Sequence, residues 1–155
     1  MSITTTTHLN FPGTAASALE FYQSVFGGSV TRATYGDFGM PQEAPGADKL
    51  VFGRLDTTDG LRLMAYDIPA QNPAGVSGTA GTTRRENGMT FTDRTFFQPL
   101  RGQSLQEIIP LWAGLAVGAH IIEPLAASAW SPGFGMLTDR FGVTWVIDVE
   151  APYSG

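Results

Sequence analysis

Few side chains in this sequence have the chemistry for a functional site: two histidines, His8 and His120, an arginine pair, Arg54 and Arg62, and no cysteine. The missing cysteine removes thiolate catalysis, disulfide frameworks, cysteine-ligated zinc and iron–sulfur clusters. His8 lies between Thr7 and Leu9 in an extended stretch. It reads either as a hydrogen-bonded structural residue or as a polar pocket contact and weak general base. His120 follows the helix-ending Gly118 and reads as the surface start of a strand. Arg54 and Arg62 flank an expected hairpin turn, Asp56-Thr57-Thr58-Asp59-Gly60. Pairing 55 with 61 would set 54 opposite 62, 52 opposite 64 and 50 opposite 66. Two adjacent guanidinium groups repel unless an anion bridges them, so a carboxylate or phosphate guest is one reading. The other places both arginines on a solvated rim, paired with Asp56, Asp59 or Asp148.

The remaining candidates are weaker. Glu20 on the first helix reads as solvated, and the parity of Glu123 beside Pro124 is undecided. No two carboxylates stand at a spacing that would define an acid–base couple. Ser104 and Ser131 have no histidine and carboxylate in a recognisable arrangement. Gly133-Phe134-Gly135 lacks the following helix that a phosphate loop needs. Trp130, Phe134 and Met136 suit the wall of a pocket for a planar ligand, or equally core or dimer packing.

The elements that position these residues are short. Glycine and proline number 19 and 10, which points to many turns. Residues 3–11 read as a strand ending at Pro12-Gly13, and Thr14 can cap a helix carrying Ala15, Ala18, Leu19, Tyr22, Val25 and Phe26 at helical spacing. Gly27-Gly28 stops it. Ser29–Tyr35 is extended, 36–47 is a loop, and 49–55 with 61–67 form the hairpin. Residues 69–88 lack periodicity and read as a linker or a functional flap. A strand over 90–100 follows, then a helix opened by the Ser104–Glu107 capping box. Pro110 should kink that helix or delay its start. Gly118 ends it, and strands at 119–126, 134–139 and 143–149 complete the chain, the last two turning at Asp139-Arg140-Phe141-Gly142.

The order β-α-β-β-β therefore occurs twice. The glycines that open the helices, Gly13 and Gly102, precede those that end them, Gly28 and Gly118, by 15 and 16 residues. At 155 residues the chain fits one compact domain, with modules at 1–68 and 89–155 joined by a flexible 69–88 loop. The net charge of −5 argues against a nucleic-acid surface. No apolar run approaches the roughly 18 residues of a membrane span. The N-terminus has no basic or apolar leader character, so the expected location is the cytoplasm.

The stretches Asn10-Phe11-Pro12-Gly13, Ala18-Leu19-Glu20-Phe21-Tyr22 and Val25-Phe26-Gly27-Gly28 resemble the N-terminal signature of PhnB-like proteins. Trp130-Ser131-Pro132-Gly133-Phe134-Gly135 and Thr138-Asp139-Arg140-Phe141-Gly142-Val143-Thr144-Trp145 are similar to the same group's closing hairpin. These proteins belong to the vicinal-oxygen-chelate superfamily, with glyoxalase I, extradiol dioxygenases and bleomycin-resistance proteins. The resemblance implies an α+β fold of two βαβββ modules, each curling a sheet into half of a cup-shaped, partly open structure, in a homodimer.

It also implies a divalent metal held by one residue from the first and one from the last strand of each module. Those positions fall on His8 and Met64, then on Phe97 or its neighbour Gln98, and on Val146. Only His8 is a hard-metal ligand, so no metal and no catalytic residue is expected. The expected function is metal-independent binding of a small molecule, anionic or aromatic. The resemblance puts Phe52, Met64, Tyr66, Phe97, Trp130 and Val146 in the apolar lining, with His8, Arg54 and Arg62 supplying polarity. The alternative is a metal-dependent lyase, isomerase or dioxygenase of glyoxalase type. PhnB-like proteins often carry a methyltransferase label, for which the sequence offers no Gly-rich strand–helix turn.

Overall fold

A computed structural model of the chain describes residues 2–69 and 83–151 and resolves them into two units, 1–77 and 78–155. The first unit runs β1 (Thr7–Phe11), α1 (Ala15–Phe26), β2 (Ser29–Thr34), a 3₁₀ turn at Gly36–Phe38, β3 (Leu50–Asp56) and β4 (Arg62–Asp67). Its sheet order is β1-β4-β3-β2, with β1 parallel to β4 and the other pairs antiparallel. The second unit opens with a hairpin, β5 (Arg84–Glu86) and β6 (Met89–Phe91). It continues with β7 (Gln98–Gly102), α2 (Leu105–Leu115), β8 (His120–Ala126), β9 (Phe134–Thr138) and β10 (Thr144–Val149). Its sheet order, β7-β10-β9-β8, repeats that of the first, again with the first and last strands parallel. Both sheets are open. This is the α+β repeat that the sequence implied.

Each helix covers one face of its own sheet. In the first unit Leu9, Phe11, Leu55, Leu63 and Ala65 are buried with Ala15, Ala18, Leu19 and Tyr22 of α1. Gly53 is required there, because a Cβ would come within 2.6 Å of Leu19 Cδ1 and 2.9 Å of the Ala65 carbonyl. In the second, Trp145, Ile147 and Leu137 are buried with Ile108 and Leu115. Gly135 lets the Trp112 ring lie on the strand.

Several expectations need correction. The β3–β4 hairpin pairs Arg54 with Met64, Leu55 with Leu63 and Asp56 with Arg62, two residues away from the expected register. The turn occupies Thr57–Leu61, closed by Thr57 N–H donating to the Leu61 carbonyl. An even shift keeps every residue on its expected face but changes its partner. Leu50, expected opposite Tyr66 and so on its face, is the exception: the β2–β3 register slips between Ala33 and Thr34, and Leu50 is buried with Cδ1 beside Gly53. A bulge of this kind reverses the alternation beyond it.

Of the 69–88 loop, 70–82 lie outside the described residues, and 84–86 belong to the β5–β6 hairpin. The expected strand over 90–100 is two pieces, Met89–Phe91 and Gln98–Gly102. Pro110 sits inside α2 without delaying its start, and the Ser104–Glu107 capping box forms as expected.

The first helix is capped differently from expectation. Thr14 makes no side-chain cap. Asp67, at the end of β4 and only 2% exposed, accepts from Gly13 N (3.0 Å) and Ala15 N (2.9 Å) with one oxygen and from Leu50 N (2.9 Å) with the other. One carboxylate thus satisfies orphan donors at a helix start and a strand start. Asp139 does comparable work in the closing hairpin, accepting from Phe141 N, Val143 N and Trp145 Nε1.

Candidate ligand-binding face

The face of the first sheet turned away from α1 is built from rows of opposed residues. His8 stands opposite Met64, Met64 opposite Arg54, and Arg54 opposite Thr31. One row therefore crosses all four strands. Beside it, Asp56 is opposite both Arg62 and Ser29, and Asn10 is opposite Tyr66. Period-two alternation puts these side chains on one face, with Phe52 two residues before Arg54. His8 is exposed, while Phe52, Arg54, Arg62, Met64 and Tyr66 are half-buried. Six of the nine expected pocket residues thus share one face of one sheet.

At the apolar end, three rings run edge to face. His8 lies 5.9 Å from Tyr66 at 65°, and Tyr66 lies 6.3 Å from Tyr35 at 62°. The Tyr35 hydroxyl donates to the Asp67 carbonyl over 2.8 Å, tying the series to the end of β4. Burial first, then the Tyr66 hydroxyl and negative charge nearby, push the Tyr35 phenol up to about 12. Sequence reasoning missed Tyr35, since it lies past the end of β2 and meets β4 only through the fold.

At the polar end, Arg54 Nη2 donates to Asp56 Oδ1 (2.8 Å), and Arg54 Nε lies 2.6 Å from Oδ2 without a hydrogen-bonding angle. Arg62 Nε stays 3.9 Å from Oδ1. Asp56 is thus the anion between the two arginines. Its carboxyl is held below the usual range, chiefly by the Arg54 hydrogen bond, and the Arg54 guanidinium is raised by the same contact. Asp148 is engaged elsewhere: Arg101 grips it with two hydrogen bonds of 2.9 and 2.7 Å.

The corresponding row of the second sheet is Pro99–Val146–Met136–Glu123. The first-strand position matching His8 is therefore Pro99, whereas Phe97, the expected residue, and Gln98 precede it. Phe97 lies just ahead of β7, half-buried. Glu123 reaches this row because the β8–β9 register slips between Ile121 and Glu123, which settles the parity that sequence left undecided.

The β5–β6 hairpin lies over the β8–β9 side of this second face, while Pro99 at the other end of the row is exposed. Arg85 Cζ lies 5.0 Å over the Phe134 ring and Nε 3.8 Å from Glu123 Oε2, while Nη1 donates to Thr90 Oγ1 (2.9 Å). Thr90 Oγ1 in turn lies 3.9 Å from Met136 Sδ. Met136 is only 1% exposed, and the Arg85 side chain 11%. Val146, half-buried, stands between Met136 and Pro99 in this row. Trp130 is 54% exposed and meets Phe134 edge to face at 5.3 Å. His120 is exposed at the start of β8, as expected. Ser131 is structural, its hydroxyl placed between the Gly133 and Val149 carbonyls at 2.7 and 2.6 Å.

With Pro99 standing in place of the expected Phe97 or Gln98, the four strand positions that the resemblance implies for a metal carry one imidazole, a thioether, a proline ring and an isopropyl group. A divalent ion of the zinc, nickel or iron type needs three or more imidazole, carboxylate or thiolate donors. The donor set does not fit such an ion. No cluster of three His, Cys, Asp or Glu side chains suited to a metal occurs among the described residues. No helix among the described residues is long and apolar enough to cross a membrane.

Known proteins share this architecture along nearly the whole chain. Protein PA1353 from Pseudomonas aeruginosa is 29% identical, covers 96% of this chain and 98% of its own, and superposes with a TM-score of 0.70. A Bacillus cereus structure described as a putative 3-demethylubiquinone-9 3-methyltransferase, PhnB protein, is 22% identical over 96% and 100% of the two chains, with a TM-score of 0.68. Protein YjdN of Escherichia coli K12 is 24% identical over 151 residues, 92% of each chain. The model of the Glyoxalase/Bleomycin resistance protein/Dioxygenase superfamily matches residues 8–147, and the chain belongs to that superfamily.

Proposed function

We propose that this protein binds a small organic molecule on the open face of the first sheet and does so without a metal ion. The observation that carries the reading is the His8–Met64–Arg54 row. It keeps one imidazole at an inherited metal position and surrounds it with apolar and aromatic side chains instead of further hard donors. Such a surface captures a ligand through burial of apolar area, worth about 25 cal/mol per Å², and through offset or edge-on ring contacts. On the second sheet the β8–β9 side of the corresponding face is occupied by Arg85 and Thr90, whereas among the described residues the first row carries no such hairpin. Homodimer assembly and a cytoplasmic location belong to the same proposal.

The methyltransferase wording attached to the Bacillus cereus structure does not carry over. A nucleotide-like cofactor would use the N–H groups of a Gly-rich strand–helix turn. Here the turn between β1 and α1 offers Gly13 and Ala15 N–H to Asp67 instead.

A second reading, a metal-dependent lyase, isomerase or dioxygenase, is favoured only by His8, exposed at an inherited ligand position. Turnover assays separate the two. Hemithioacetal isomerisation and catechol cleavage should stay undetectable with added Ni²⁺, Zn²⁺, Mn²⁺ or Fe²⁺. Turnover abolished by His8→Ala would establish the second reading.

A further inference from the structure

We propose that the open face of the first sheet is built for a flat aromatic carboxylate, its rings on Tyr66 and Met64 and its acid group at Arg62. This rests on the small-molecule reading above and names the ligand class for that face.

The charge comes from an imbalance. Arg54 and Arg62 share one carboxylate, and Asp56 gives both its close contacts to Arg54. Arg62 stays at 3.9 Å, outside hydrogen-bonding distance, with its side chain half-buried. Of the other two acids expected to pair with them, Asp148 belongs to the second unit and is held by Arg101, and among the described residues Asp59 makes no ion pair with either arginine. Two guanidinium groups against one carboxylate leave one positive charge at this end of the face. A guanidinium presents a planar fork that matches a carboxylate through two parallel hydrogen bonds, and its charge is worth more where the site is partly desolvated.

The ring preference comes from the other end. His8, Tyr66 and Tyr35 stand edge to face, and Tyr35's proton is directed at the Asp67 carbonyl. Tyr35 thus supplies ring surface and rigidity in place of a free donor. The half-buried Met64 and Phe52 continue the apolar floor, and thioether–ring contacts suit a planar guest.

The spacing joins the two ends. Arg62, Met64 and Tyr66 are successive same-face residues of β4, each about 7 Å from the next along the strand. A long arginine side chain spans most of one such step. A ligand with its rings over Met64 and Tyr66 therefore places a carboxylate attached directly to the ring within reach of Arg62. A neutral ligand would leave the Arg62 fork unanswered. An aliphatic acid would leave the rings bare.

The test uses the full chain, three probes and calorimetric titration. These are 2-naphthoate, 2-naphthamide with the same rings and no charge, and octanoate with the charge and no ring. Naphthoate should bind at least tenfold tighter than either control. Arg62→Gln should remove that advantage and leave naphthamide unchanged, and Arg62→Lys should restore only part of it. Tyr66→Ala should weaken both naphthyl compounds. Equal binding of naphthoate and naphthamide, or an Arg62→Gln variant with full naphthoate affinity, would overturn the acid assignment and leave the small-molecule reading standing. Octanoate binding as tightly as naphthoate would overturn the aromatic assignment. If no probe binds, or none shifts the amide resonances of residues 50–56 and 62–67, the ligand class is wrong. The small-molecule reading is then judged on the turnover and metal measurements alone.

Discussion

Arg54 and Asp56, two residues apart on β3, hold each other on the open face of the first sheet, with Nη2 donating to Oδ1 over 2.8 Å. The contact has a pH signature. Asp56 titrates below its ordinary range, chiefly because the Arg54 hydrogen bond favours the charged form. A depressed folded-state value means that the contribution is present above the unfolded carboxyl value of about 3.9 and is lost as pH falls through the folded one. Carbon-detected NMR titration should place the Asp56 midpoint below that of an ordinary aspartate. Arg54→Met should return it towards the ordinary value, and an unchanged midpoint would show that the pair does not hold in solution.

Tyr35 gives the opposite case at high pH. Its phenol is raised to about 12 by burial, with the Tyr66 hydroxyl the next contributor. Since the folded state keeps that proton longer than the unfolded chain, the contribution is complete below about 10 and declines between about 10 and 12. The difference between absorbance titrations of the native protein and of Tyr35→Phe should be a phenol that ionises late. Tyr66→Phe should bring that step earlier, and Tyr35→Phe should remove it.

Asp67 should matter more to stability than any residue of the binding face. Replacing it by alanine leaves Gly13, Ala15 and Leu50 N–H groups without their acceptor in a buried site. Unmet buried donors cost about 1–3 kcal/mol each, partly offset by relaxation, so Asp67→Ala should lose about 3–5 kcal/mol in urea unfolding. Asp67→Asn should lose less, because its carbonyl oxygen can still accept from Gly13 and Ala15 while its amide NH2 faces the Leu50 N–H. Thr14→Ala should be nearly neutral, as Thr14 makes no side-chain cap.

The β5–β6 hairpin should shield Met136 from oxidants. Met89, at 56% exposure, and Met136, at 1%, form an internal pair for peroxide oxidation followed by mass spectrometry. Met89 should oxidise readily and Met136 slowly. Arg85→Ala with Thr90→Ala should raise the Met136 rate about tenfold and leave Met89 unchanged. Equal rates for the two methionines in the unaltered protein would show that the hairpin does not cover this face.

Much of this was legible in the sequence because it is local. Helix spacing, the Ser104–Glu107 box and the Asp139–Gly142 turn all depend on residues within a few positions of one another, and all three form. The hairpin faces also followed from alternation, because an even error in register leaves them intact. What escaped is long-range or irregular. Leu50 turned to the core and Glu123 joined the second open face through register slips that no alternation pattern announces. Tyr35 and Asp67 act on residues more than thirty and fifty positions away, respectively. A polar stretch read as structureless supplies Arg85, which meets Phe134 and Glu123.

The central claim is that an inherited metal position has been turned over to metal-free binding, and metal content tests it most directly. Protein purified without an affinity tag and dialysed against each divalent ion should carry well under a tenth of an equivalent of nickel, zinc, manganese or iron by plasma mass spectrometry. His8→Ala should leave that figure unchanged. One equivalent of any of these ions in the native protein, lost in His8→Ala, would contradict the account.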